Sequence, residues 1–183
     1  MEHQEEKAAT EPNNIISHIR WKALDYDTYK VNWDVSVKAA SRRFGVGIIV
    51  WDFIGHVCAA SCLVQEGRSE PTVAEAMGAL SAVEFCRDLG FQKIVLEEDS
   101  KAVVQAVKGG ATWSNFGQII EDIHTILPGF RSWRVEHVRR EANGAANGLA
   151  RAAGINGKHR VWMEEVLDFI HDVVTLESSA LVV

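Results

Sequence analysis

YKVNWDVSVKAASRRFGVGIIVWDFIGHVCAASCLV, residues 29–64, decides the fold. Its first nine residues, YKVNWDVSV, alternate and are rich in β-branched and aromatic side chains, which predicts a strand. FGVGIIVWD (44–52) and HVCAASCLV (56–64) predict two more, joined by a turn at DFIG that ends in Gly55. So short a link implies an antiparallel hairpin. Gly45 and Gly47 inside a strand imply that another backbone comes close there.

The downstream pattern changes period. Val73, Met77, Leu80, Val83 and Cys86 form an apolar stripe at helical spacing, so 71–89 is expected to be a helix, opened by Pro71 and stopped by Gly90. QKIVLEE (92–98) is a short apolar strand of the kind buried in a parallel sheet. Asp99 or Ser100 is placed to cap the next helix, with Val103, Val104 and Val107 on its core face. A third helix capped by Ser114 or Asn115 runs to about Leu127, before Pro128-Gly129. SWRVEHV (132–138) is a fifth strand, 142–153 an Ala-rich helix, and VWMEEVLDFIHDVV (161–174) a final amphipathic helix. Three meander strands followed by strand–helix units imply an α/β fold, a mixed five-stranded sheet flanked by helices.

A chain of 183 residues favours one domain with a substantial core. The expected boundaries are a polar lead-in over 1–20, the domain over 21–175 and a flexible tail over 176–183. Three cysteines, Cys58, Cys62 and Cys86, lack zinc-ligand spacing and are expected to be buried free thiols, with Cys58 and Cys62 on one strand face. No apolar run reaches the length of a membrane span, and MEHQEEKAATEPNN is neither a secretory signal nor a transit peptide, so an intracellular location, cytoplasmic or nuclear, is expected. A formal net charge of −6 argues against a protein that lives on non-specific phosphate contacts.

Asp34, Glu75 and Asp99 stand out among the 25 acids. Asp34 is on a predicted central strand, Glu75 in the early turns of a helix, and Asp99 where a neighbouring strand ends. Ligand crevices of α/β sheets open beyond strand ends. Carboxylates that converge there suit a hard divalent cation, which takes oxygen ligands and keeps positions open for a phosphate. Two such ions can act on one phosphodiester. The bland alternative is a set of solvated acids, with Asp99 serving only as a helix cap.

The chain resembles the ribonuclease H family, in particular the plant-type members related to the ribonuclease H parts of non-LTR retrotransposons. Trp21-Lys22 and Lys30-Val31-Asn32-Trp33-Asp34 match its opening. Gly45, Gly47, Asp52 and Gly55 match its Gly-rich strand and turn, and Ala74-Glu75-Ala76 its first helix. Glu97-Glu98-Asp99-Ser100 matches the end of its fourth strand. His137, Val138, Arg140, Glu141, Asn143, Ala146, Leu149 and Ala150 match its late block, and Trp162, Glu164 and Glu165 a trailing helix. Three departures stand out. Asn147 occupies the place of an aspartate, Val35 that of a glycine, and the short Gly109–Ser114 link has no basic insertion.

The resemblance implies metal-dependent endonucleolytic hydrolysis of the RNA strand of RNA–DNA hybrids, leaving 5′-phosphate and 3′-hydroxyl ends. It implies two Mg²⁺ ions, which Mn²⁺ can replace, held by Asp34, Glu75, Asp99 and the position of Asn147. An amide there still offers an oxygen but no charge. His137 matches a histidine that moves protons or aids product release. Asn32, Arg42, Arg43, Arg139 and Arg140 are candidates for nucleic-acid contact, with Lys38 beside them. Trp33 and Trp51 are expected to pack in the core. The expected partner is the hybrid, bound by a monomer. The rival function is a catalytically weak or inactive ribonuclease H-fold module of transposon origin that binds nucleic acid or protein.

Overall fold

The computed structural model describes residues 24–38, 42–67, 70–109, 114–165 and 167–178. The lead-in, Trp21-Lys22 and the end of the tail lie outside them. Strands β1 (Tyr29–Val37), β2 (Arg43–Trp51) and β3 (Val57–Glu66) form the expected meander. Asp52 fixes the β2–β3 turn, where its Oδ1 accepts the Ile54 and His56 N–H groups at 3.0 and 2.8 Å. Gly55 follows with φ 85°, a conformation that suits a residue without Cβ.

Helix α1 (Pro71–Asp88) leads to β4 (Lys93–Glu98), then α2 (Lys101–Val107), α3 (Gly117–Ile126), β5 (Ser132–His137), α4 (Gly144–Asn156), β6 (Arg160–Met163) and α5 (His171–Ser178). The sheet order is β5-β4-β1-β2-β3-β6. β1, β4 and β5 run parallel and the remaining pairs are antiparallel. One face of the sheet carries α1, α2 and α3, with Trp33, Phe44, Ile48, Leu96, Ile120 and Leu127 in the core between them. The other carries α4 and the C-terminal segment, with Ile49, Trp51, Leu149 and Ile170.

Gly45 and Gly47 explain how α4 lies so close. A Cβ built on Gly47 would overlap the backbone of Ala146 and Ala150, and one on Gly45 would lie 2.6 Å from Gly154 N. The glycines let the helix backbone rest on the strand.

The sheet has six strands rather than the expected five. Residues 160–163 open not a helix but an edge strand, antiparallel to β3 from Cys62↔Arg160 to Ala59↔Met163. Their pattern is two-fold: Val161 and Met163 are exposed while Trp162 packs into the second core. Without β6 the edge of β3 would present unpaired backbone groups. Trp162 therefore belongs to a strand, and Glu164, at φ 56°, to the turn after it. The final helix is confined to α5, preceded by a 3-10 turn at Asp168–Ile170. It runs to Ser178, past the expected boundary at 175, with Glu177 buried and Leu176 exposed.

The two β3 cysteines also differ from expectation. The β2–β3 register shifts between Val50 and Trp51, which inserts one extra residue opposite them. Cys58 consequently packs toward the first core and Cys62 toward the second. All three thiols are free; Cys62 and Cys86 are buried and Cys58 is half-buried.

Candidate active site

The carboxyl ends of the parallel strands β1, β4 and β5 meet at one edge of the sheet, and the predicted acids gather there. Asp34 is 8% exposed, in the last half of β1. Its Oδ1 accepts the Val35 N–H at 2.8 Å, and its Oδ2 accepts the Asn147 side-chain amide at 2.5 Å. Asn147 is thus at the site, as a neutral donor to the central carboxylate. The amide of Asn143 donates to Trp33 O at 2.8 Å and ties the start of α4 to β1 beside Asp34.

Glu75 reaches the site from the second turn of α1. The Trp33 indole donates to Glu75 O at 3.3 Å and holds that turn over β1. One turn on, the space above Gly78 is filled by Val35, whose Cγ1 would be 2.9 Å from an added Cβ. Val35, unexpected by resemblance, therefore packs where α1 is thinnest. Ser100 holds the N-cap position of α2, but its side chain makes no cap bond; it hydrogen-bonds Glu75.

Asp99 follows β4, and Glu98 lies next to it, fully buried. One carboxylate oxygen each from Asp34, Glu98 and Asp99 lie within 4.8 Å of one another. Burial raises the pKa of Asp34, opposed by the Asn147 and Val35 hydrogen bonds, with Asp99 adding repulsion. Burial also raises Glu75, with Asp99 and Asp34 as repelling neighbours. Glu98 is raised well above its ordinary value, first by burial and then by the adjoining Asp99 carboxyl and the charges of Asp34, Asp99 and Glu75. Arg140 is the cation whose charge favours ionised Asp34 and Glu75. An all-oxygen set of crowded acids fits a hard divalent cation, which would offset the burial and mutual repulsion that raise Asp34, Glu75 and Glu98.

A model of the family described as reverse transcriptase-like matches residues 32–153, which contain every one of these groups. The chain belongs to that family. Within it, this reverse transcriptase-like chain is a ribonuclease H-like domain. It is 29% identical over 138 residues to an Arabidopsis thaliana protein named "Putative ribonuclease H protein". That match takes in 74% of this chain but only 22% of the relative, so the chain spans about a fifth of that protein's length. Among solved structures, ribonuclease H1 of Halobacterium salinarum superposes with a TM-score of 0.66 at 24% identity, over 70% of this chain and 98% of that one. LC11 ribonuclease H1, solved in complex with an RNA/DNA hybrid, gives 0.64 at 18%, over 70% and 98%. These likenesses establish the fold.

His137 ends β5 opposite Glu98 and is exposed. Its Nε2 is 3.0 Å from Asp99 O. A carbonyl only accepts, so Nε2 carries the proton and Nδ1 is the nitrogen left for other chemistry. Arg139 and Arg140 follow β5, and Lys38, Arg42 and Arg43 border the same sheet edge; all are exposed. Arg43 pairs with Glu66 at 3.3 Å, an exposed contact that a phosphate can replace.

Asn32 does not share that surface. It is 1% exposed, donates to Glu97 at 3.2 Å, and accepts the Trp51 indole at 3.1 Å. Its neighbours on β2 and β4 use its amide inside the protein, so it has no route to a nucleic-acid groove. Trp33 and Trp51 are both fully buried, as expected. Two residues of the site carry no individual prediction from sequence. Asn143 was legible only as a motif position, and Glu98 only as one of two adjacent glutamates.

Proposed function

We propose that this domain hydrolyses the RNA strand of RNA–DNA hybrids in a divalent-metal-dependent reaction of the ribonuclease H type. The observation that carries this reading is the grouping of Asp34 and Asp99, from a central strand and a strand end, at one open edge of the sheet, with Glu75 on α1 near enough to feel both charges. Asp34, Glu75 and Asp99 would hold the ions, with the Asn147 oxygen as a neutral neighbour. Bound there, divalent ions supply an acidified water and neutralise charge on the scissile phosphate.

The remaining work falls to the chain's own groups. Trp33 and Asn143 fix Glu75 and α4 against β1, so the carboxylates are set before substrate arrives. The His137 ring, anchored through Nε2–H on the Asp99 carbonyl, presents Nδ1, which in the imidazolium form would give its proton to the departing 3′-oxygen. Arg139, Arg140, Arg42, Arg43 and Lys38 line the edge where strand phosphates would run. Recognition of a hybrid by its shape and its 2′-hydroxyls requires no base reading. The hybrid bound by the LC11 relative supports that ligand class. The sequence relative's name points to the same chemistry.

Cleavage of a labelled RNA strand in a hybrid, but not of the same RNA in single-stranded form, tests the reading. The second reading, a binding module with weak catalysis, rests on Asn147. Its amide donates to Asp34 where an acid would add charge for a metal. Hybrid binding without cutting at any Mg²⁺ or Mn²⁺ concentration would select it.

A further inference from the structure

We propose that Glu98 is a metal ligand of this site, the fourth carboxylate of a cluster in which position 147 supplies none. The proposal rests on the metal-dependent reading above and names a residue that reading does not use.

Glu98 and Glu97 are neighbours on β4 and point to opposite faces, which makes a natural comparison. Both are buried. Glu97 is fully provided for: Lys30 Nζ lies 3.5 Å away and the Asn32 amide donates at 3.2 Å. Glu98 is more deeply buried, at 0% exposure, yet no hydrogen-bond donor among the described residues reaches either of its oxygens. A buried carboxyl without partners is costly, and buried charges in folded proteins are paired or coordinate metals. Were volume the only requirement, leucine or methionine would fill the space without that cost.

The orphaned oxygens are also aimed. One Glu98 oxygen lies with ligand atoms of Asp34 and Asp99, all within 4.8 Å of one another. Carboxylate oxygens so grouped are the donor set of Mg²⁺ or Mn²⁺, not of a soft metal that takes sulfur. Asp34, Glu75 and Asp99 alone offer three negative charges. Glu98 brings the total to four, from the floor of the site rather than from α4.

The test is calorimetric titration of Mn²⁺ into the whole chain, without nucleic acid, alongside melting in EDTA. Four forms are compared: wild type, Asp34→Asn, Glu98→Gln, and Glu98→Gln combined with Asn147→Asp. Glu98→Gln is expected to weaken Mn²⁺ binding about tenfold or more, while melting in EDTA stays level or rises. Adding Asn147→Asp is expected to recover most of the lost affinity. Wild-type affinity in Glu98→Gln, with binding lost in Asp34→Asn, would overturn the proposal and leave the metal site standing. No Mn²⁺ binding by the wild type, or none lost in Asp34→Asn, would overturn both. Should Glu98→Gln fail to fold, Glu98→Met fills the same space without oxygens; reduced affinity supports the proposal, and wild-type affinity overturns it.

Discussion

The Asn147 amide donates a 2.5 Å hydrogen bond to Asp34 Oδ2. This contact replaces a charge with a donor at the centre of an acidic cluster. It helps ionise Asp34 without a metal, and it gives a bound metal less charge to hold.

Asn147→Asp reverses both effects. An ionised carboxylate cannot donate, so without metal the variant loses that bond and gains a repulsion, at a cost of about 1–3 kcal/mol. With Mg²⁺ or Mn²⁺ the loss is recovered, and half-maximal cleavage needs less metal. Melting in EDTA and in Mn²⁺, together with cleavage against metal concentration, checks the prediction. Equal melting of the two forms in EDTA would contradict it.

Glu177 sets a pH dependence. Its Oε1 accepts the Ala145 N–H at 3.1 Å, at the start of the helix that carries Asn147. Burial pushes its pKa from an ordinary 4.5 to about 7, against the pull of the Ala145 and Gly144 N–H groups and of Lys30. The folded state therefore holds this proton more tightly than the unfolded chain. Its contribution to stability is greatest below about pH 4.5 and is lost as pH rises to about 7. Relative to Glu177→Gln, the wild type should lose on the order of 3 kcal/mol across that window. Denaturant titrations of both forms at pH 4.5 and pH 7.5 measure the difference; parallel pH profiles would refute it.

Gly47→Ala should separate α4 from β2. The added methyl meets the Ala146 and Ala150 backbone and lies 2.6 Å from Leu149 Cβ. Backbone cannot yield as a side-chain tip can, so a loss of about 1–3 kcal/mol or more is expected. Because α4 also carries Asn147, cleavage should fall with stability. Unchanged melting would show that the helix sits further from the strand.

Hybrid binding should be modest and salt-sensitive. The net charge is −6, and the exposed cations at the site edge are few. Mg²⁺ should strengthen binding, since it offsets repulsion between the carboxylates and phosphate. Anisotropy titrations from 50 to about 200 mM salt, with and without Mg²⁺, test this; tight binding indifferent to both would favour the binding module.

Much of the fold was legible because each element carries its own local signal. β1 alternates, β4 has an apolar Ile94-Val95-Leu96 centre, and α1 opens with proline and stops before Gly90. The acids of the site were legible because each sits in a recognisable motif on its own element: Asp34 in β1, Glu75 in the second turn of α1 and Asp99 just after β4. What escaped depends on partners distant in the chain. Nothing local distinguishes Glu97 from Glu98; Lys30 and Asn32 on β1 decide which one is satisfied. Asn32 looked available beside Asp34 until Trp51 and Glu97 enclosed it. Residues 160–163 fit a strand or a helix equally well, and the open edge of β3 decides between them. The β3 cysteines part company only because β2 and β3 shift register.

The most direct test is cleavage of a 5′-labelled RNA strand in an RNA–DNA hybrid, by wild type and Asp34→Asn, in Mg²⁺, Mn²⁺ and EDTA. Metal-dependent cutting by the wild type that is abolished in EDTA, and abolished in Asp34→Asn at equal fold stability, is the predicted result. Cutting that survives EDTA, or that Asp34→Asn performs at the wild-type rate, would contradict a metal-dependent nuclease built on Asp34.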